Sequence, residues 1–418
     1  MRSGRVVAPV VTLLLAACAP FPIGGGGASS DLPIGVLLPL SGPQASLAQE
    51  ELNGIQAAVD DVNAHGGVHG RRVTLVTRDV TTREAAAGAV VGLKDAGARV
   101  LMGTYSTALS IPAAHATAAA GLVYWETGAV ADQVTGDALP RVFRVGAAGA
   151  NLGRGSATFA AEQVAPRLGK APPDLRVSVV QEHDAYGDSV AGAAIAEARA
   201  RGIQLAPTID YDARSPDWDR VLGAVRTQAP DVLVLASYIP DGVAFRRAML
   251  AADLKVGALI GSTMAECGPE FGQSLGADAK TPIASDRPTR GFNPAVLSPD
   301  AAAAYSVLLR HYHEQLHREP GEEAISGFSS AWALLVHTLP AARDLEPDGI
   351  AAAAQAQDLP EGSLPNGGGL RFSDSSSDRG QNLRAASVIW QWQGVEKSVT
   401  VWPRVFATGD VQMVPLPR

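Results

Sequence analysis

The chain has 418 residues, with 34 Lys and Arg against 42 Asp and Glu, a formal net charge of −8. No basic block stands out, so nucleic acid is excluded as an expected partner. With 46% hydrophobic but only 5% aromatic residues, the composition fits an Ala-rich α/β protein better than a β-sandwich.

Residues 1–18 form a secretory signal: Arg2 and Arg5 open it, residues 6–17 are apolar, and Leu15-Ala-Ala-Cys18 closes it. The apolar core is too short to span a bilayer as a mature helix. Leu-Ala-Ala-Cys resembles a bacterial lipobox, in which Cys18 carries the lipid anchor; the alternative is a plain signal peptide with an incidental cysteine. Residues 19–31, rich in Gly, Ser and Pro, read as a flexible tether. Cys267 is the only other cysteine, so the mature domain has no internal disulfide framework. A body of about 390 residues held by cores alone implies two lobes or more.

Apolar runs at 34–40, 73–79, 99–103, 122–125 and 142–145 predict strands, and a second series follows at 176–180, 204–209, 232–236 and 258–261. Helical patterns lie between them at 49–64, 83–96, 189–201, 217–227 and 242–252. Strand–helix–strand alternation predicts parallel sheets, and its interruption near 146–155 predicts two similar lobes. After Pro299 the pattern predicts helices at 301–317 and 323–339, then β-structure at 369–372, 387–393 and 398–402.

Ligands of open parallel sheets bind beyond the carboxyl ends of the strands. The loops there include Gly103-Thr-Tyr-Ser-Thr107, Trp125-Glu-Thr-Gly-Ala129, 181–187 with Tyr186, and 237–240 with Tyr238. They carry hydroxyls, tyrosines and carboxylates but no cluster of metal ligands, a set suited to a small polar molecule.

The block Ile34-Gly-Val-Leu-Leu-Pro-Leu-Ser-Gly-Pro43 resembles the opening of the leucine/isoleucine/valine-binding protein family. So do Asn53-Gly54 and the helix closing at Asp61-Val-Asn63-Ala-His-Gly-Gly67. Tyr186-Gly187, Tyr238-x-Pro240 and Arg247 match its second lobe, and the likeness runs from about residue 32 to 402. The resemblance implies a type I periplasmic binding protein, in which two Rossmann-like lobes are joined by three crossover strands and close on a ligand. It divides the chain into 32–146 with 287–360, 147–286 with 361–405, and a tail at 406–418. It also implies a monomeric, non-catalytic receptor without cofactor or metal, anchored outside the cytoplasm (in the periplasm or at the cell surface) and delivering its ligand to ABC permease subunits. A sensor of the same fold that signals without transport is the alternative.

Carried onto this sequence, the family's carboxylate-binding hydroxyl falls on Thr107, next to Ser106. Both residues precede a helix, whose first N–H groups and dipole attract an anion; a simple N-cap is the other reading. Gly128 falls where a backbone carbonyl meets the ligand ammonium, and Tyr186 and Tyr238 fall where tyrosines close over the ligand or pack between lobes. Leu47 replaces an aromatic wall and Val130 a threonine, and the acidic partner of the ammonium is replaced by Thr263, with Glu266 nearby. Glu126, at a strand's carboxyl end, is the candidate replacement for that charge, or else part of an ion pair. From these changes leucine, isoleucine and valine are expected to bind weakly. A ligand with a carboxylate or amide is expected instead, its second end either less cationic or paired by Glu126.

His313-Glu314-x-x-His317 spells a zinc-protease helix. The stripe Tyr305, Leu308, Leu309, Tyr312 and Leu316 puts both imidazoles on its flank and Glu314 on the solvent side, and no third ligand is evident. The metalloenzyme reading therefore ranks last. Asp374-Ser-Ser-Ser-Asp378-Arg-Gly380 reads as a polar turn rather than a calcium loop, because the later bidentate Glu is missing. The sequence has no phosphate loop and no nucleophile elbow.

Overall fold

A computed structural model describes residue 1, residues 31–395 and residues 397–412, except for the side chains of residues 263, 264 and 269. Cys18, most of the tether and residues 413–418 lie outside the described residues. The fold is α/β, with two sheets. Strands β1 (Leu32–Leu38), β2 (Val73–Asp79), β3 (Val100–Gly103), β4 (Val123–Glu126) and β5 (Val142–Arg144) form an all-parallel sheet in the order β2-β1-β3-β4-β5. Side chains alternate between its faces, as a strand's period of two requires. Ile34, Val36 and Leu38 enter the core beneath the Ala45–Ala64 and Glu322–Trp332 helices. Leu37 and Leu101 point the other way, to the Arg83–Asp95 and Thr107–Ala119 helices.

The second sheet holds β6 (Arg176–Glu182), β7 (Gln204–Leu205), β8 (Ile209–Tyr211), β9 (Val232–Ala236), β10 (Ala258–Ser262), β11 (Ile283–Asp286), β12 (Val388–Gly394) and β13 (Lys397–Trp402). Its order is β13-β12-β11-β10-β9-β6-β7, with β8 also pairing β6. The β12 and β13 strands run antiparallel at one edge, so this sheet is mixed, not purely parallel.

The chain passes between lobes after β5, after β11 and again before β12. The first and third passages are laced together: Arg144 N donates to Gly380 O at 2.9 Å, and Asn382 Nδ2 donates to Val145 O at 2.9 Å.

Several details differ from the sequence expectation. The expected strand at 204–209 is two strands, because Pro207 between them has no N–H to give a ladder. The interval near 146–155 contains a helix, Gly149–Phe159, whose small residues hid its period. Strand β11 was missed altogether; its Ile-Ala-Ser-Asp is too short and too polar to show as an apolar run, though all four residues are buried. At 369–372 there are only isolated bridges, at Leu370 and Phe372. That segment moves the domain boundary, since Leu364, Leu370 and Phe372 pack into the first lobe's core. Phe372 lies edge-on to Phe143 at 4.9 Å and to Trp125 at 5.4 Å. Phe406, expected in the tail, is buried beside Phe292 and Trp390.

Candidate functional site

A small cavity, with room for about 20 Å³, lies where the lobes meet. Tyr105, Ser106, Thr107, Gly128 and Val130 line it from the first lobe, Tyr186 and Tyr238 from the second, and Arg287 from the passage after β11. That is about the space of one water molecule, well below a ligand pocket, so a ligand would enter only with the lobes further apart.

The first-lobe wall is made of loop backbone. After β3 the chain turns through Gly103 (φ 127) and Tyr105 (φ 83). A Cβ on Gly103 would meet the Leu37 carbonyl at 2.0 Å, so only glycine fits. The turn delivers Ser106 to the N-cap of the Thr107–Ala119 helix, where its side chain makes no cap hydrogen bond. Thr107 Oγ1 accepts from Ala131 N at 3.2 Å, which leaves its proton available to a ligand. Hydroxyls and first-turn N–H groups thus converge on one end of the cavity, an arrangement that holds an anion.

The loop after β4 is held from beneath by Glu126. Its Oε1 accepts from the backbone N–H groups of Thr127, Gly128 and Ala129 at 2.9, 2.7 and 2.6 Å. Its Oε2 accepts from Tyr124 at 3.0 Å and from the Ser110 hydroxyl. Burial raises its pKa, while these donors pull it down. Glu126 is fully buried and does not line the cavity, so it is not the charge partner that the sequence suggested; its carboxylate shapes the loop. Gly128 is required by close approach, since a Cβ there would meet Glu51 Oε2 at 2.5 Å and Tyr105 Cα at 2.6 Å. Buried Arg144 fixes the next residues by donating to Val130 O at 2.9 Å and Ala131 O at 2.6 Å.

The second-lobe wall is aromatic. Tyr186 and Tyr238 lie with ring centroids 5.1 Å apart. Their hydroxyls are bound within their own lobe, Tyr186 with Ser262 Oγ at 2.7 Å and Tyr238 donating to Asp184 Oδ2 at 2.7 Å. Asp184 also caps the Ala185–Ala200 helix by accepting from Gly187 N at 2.7 Å, so one carboxylate sets both the helix start and the ring.

Sequence reasoning missed Arg287. It follows the unrecognised β11, and the neighbouring Asp286 accepts from its backbone N–H at 2.7 Å. Its Nη1 donates to Gly128 O at 2.8 Å, and its guanidinium pairs with Glu322, Nε to Oε1 being 2.6 Å. Glu322 opens the Glu322–Trp332 helix, and Ser326, one turn on, donates to Thr127 O at 2.9 Å. The nearby carboxylates keep Arg287 charged, against the effect of burial. Because β11 (Ile283–Asp286) does not show as an apolar run, no local sequence signal marks Arg287 just after it.

The remaining expectations fall elsewhere. The side chain of Thr263 lies outside the described residues. Glu266 is buried, with no hydrogen-bond partner among the described residues for either carboxylate oxygen, and does not line the cavity; burial raises its pKa well above the carboxylate range. Leu47 lines a second, larger cleft together with Glu322, so the Arg287–Glu322 pair stands between that cleft and the cavity. At the zinc-protease spelling the Pro299–His311 helix gives way to a π-turn at Tyr312–Leu316, and His317 ends it with φ 55. His313 Nε2 meets Glu319 at 2.8 Å, and no group of three metal-ligating side chains occurs among the described residues.

Two sheet-based lobes, three connections and a cavity at their junction define a bilobal binding protein. The family model for periplasmic binding proteins matches residues 31–389, and the chain belongs to that family. Leu/Ile/Val-binding protein homolog 8 of Brucella abortus (strain 2308) is 31% identical over 378 residues, covering 90% of this chain and 91% of that protein. A branched-chain amino acid transporter substrate-binding protein from Streptococcus pneumoniae, solved with isoleucine, superposes with a TM-score of 0.71 at 18% identity, covering 89% of this chain and 100% of that one. A solute-binding protein of an ABC transporter from R. palustris, solved with benzoate, gives 0.71 at 18% identity, over 91% and 98% of the two chains.

Proposed function

We propose that the chain is the extracytoplasmic solute receptor of an ABC importer, anchored through a lipid on Cys18, and that its lobes close on a small ligand bearing a carboxylate or amide. The observation that carries this reading is the interlobe cavity with Ser106, Thr107 and a helix N-terminus at one end and two tyrosine rings at the other. Among the described residues the wall offers hydrogen bonds and shape and pairs no nucleophile with a base, which supports a binding role. In this reading the first lobe takes the ligand's carboxylate or amide oxygen, the second lobe covers it, and the closed form is presented to the permease. Charged or polar ends must be matched in such a cleft, because an unpaired one there is costly.

Three measurements test it. A thermal-shift screen of amino acids, amides and small carboxylates on the mature protein should find a ligand, since one present at 100 times its Kd adds about 2.7 kcal/mol. The Thr107→Val variant should weaken that ligand by about 1 kcal/mol, one lost hydrogen bond. Fractionation of cells should find the wild type with membranes and Cys18→Ser released. A screen without hits, or equal membrane retention of the two forms, would remove the corresponding half of the proposal.

A further inference from the structure

We propose that Arg287 sets the ligand class, selecting small carboxylic acids that lack an α-ammonium group and rejecting α-amino acids. The inference rests on the receptor reading above. An α-amino acid would have to place its ammonium on an acceptor in this wall, and the carbonyl of Gly128 is the position to which the family resemblance assigns that role. That oxygen already accepts Arg287 Nη1 at 2.8 Å, from a guanidinium that itself lines the cavity. A second cation on the same oxygen would lie within a few ångströms of the first, inside a closed cleft where like charges are weakly screened.

Among the described residues no carboxylate lines the cavity to offset this. Glu126 is engaged by the N–H groups of residues 127–129. Glu322 is committed to Arg287, and Asp184 accepts from Tyr238. Glu51, behind Gly128, receives the Thr127 hydroxyl and does not reach the cavity wall.

The same geometry favours an anion. The helix N-terminus at Ser106 and Thr107 and the Arg287 guanidinium are the two electropositive features of the wall, and both complement a carboxylate. What remains is apolar or aromatic: Val130, Tyr105 and the rings of Tyr186 and Tyr238. A compact aliphatic or aromatic monocarboxylate matches that lining.

The test pairs leucine with 4-methylpentanoate, the same skeleton without the amino group, and adds benzoate as an aromatic acid. Calorimetry on the mature wild type should find 4-methylpentanoate or benzoate bound at least 100-fold more tightly than leucine. In Arg287→Met combined with Glu322→Gln, which removes both charges together, that preference should shrink at least tenfold. Arg287→Lys, which keeps a cation, should preserve it, and circular-dichroism melts confirm folding of both forms. Leucine bound as tightly as its deamino analogue would overturn the inference while leaving the receptor reading intact. So would an acid preference unchanged in a folded charge-free variant. Absence of binding by all three compounds would also overturn it, and only a negative result across the wider screen would overturn the receptor reading as well.

Discussion

The two walls of the cavity are built on opposite plans. The first-lobe wall is loop backbone, aimed by buried charges beneath it: Glu126 gathers three successive N–H groups, and Arg144 takes two carbonyls. The second-lobe wall is side chain, two rings whose hydroxyls are tied back to Ser262 and Asp184. In the proposed reading, polar recognition therefore falls to the first lobe, while the second supplies cover. Hydrogen bonds at fixed positions discriminate between ligands, and an apolar face that docks afterwards slows escape.

Removing the first wall's support should do the most damage. Glu126→Ala strands three backbone donors and two hydroxyls in a buried site, so a loss of about 3–5 kcal/mol in stability is expected, together with loss of ligand binding. Denaturant melts and calorimetry check both; an unchanged Kd would mean that the loop keeps its shape without the carboxylate.

The second wall should break more gently. Tyr238→Ala should weaken binding by about 1–3 kcal/mol, expressed mainly as faster release in stopped-flow measurements. Tyr238→Phe should stay close to wild type in affinity, because the hydroxyl faces Asp184. A Phe variant as weak as the Ala variant would transfer polar recognition to the second lobe.

A smaller effect concerns pH. Burial pushes Glu51, beneath the first wall, up to about 8. An acid whose folded pKa is raised keeps its proton after the unfolded chain has lost its own, so its contribution falls as pH rises from the ordinary carboxylate range to about 8. The wild type should thus lose several degrees of melting temperature between pH 5 and pH 8.5, and Glu51→Gln should lose less. Equal slopes would show that Glu51 is ionised in the folded state.

The smallest effect lies away from both walls. Glu314 is exposed on the π-turn, so Glu314→Gln should change stability by no more than about 0.5 kcal/mol and leave binding untouched. A larger loss of either, read by melts and calorimetry, would give that turn a role that its geometry lacks.

The sequence by itself determined the α/β class, the positions of most strands along the chain and the loops that carry Ser106, Thr107, Gly128, Tyr186 and Tyr238. These are local properties: apolar runs of strand length, punctuation by Gly and Pro, and position just after a strand. Tertiary structure decided which polar groups face the cavity. Glu126 and Arg287 are both charged residues beside strand ends, and nothing in their neighbours in sequence says that one turns under its loop while the other reaches across to Gly128. Strand β11 was invisible for a related reason, because its place between β10 and β12 buries Ser285 and Asp286 that on an ordinary strand would face water. A buried charge takes its orientation from partners distant in sequence, as when Glu322 and Trp390 fix Arg287 and Asp286. Those partners meet only when the chain has folded.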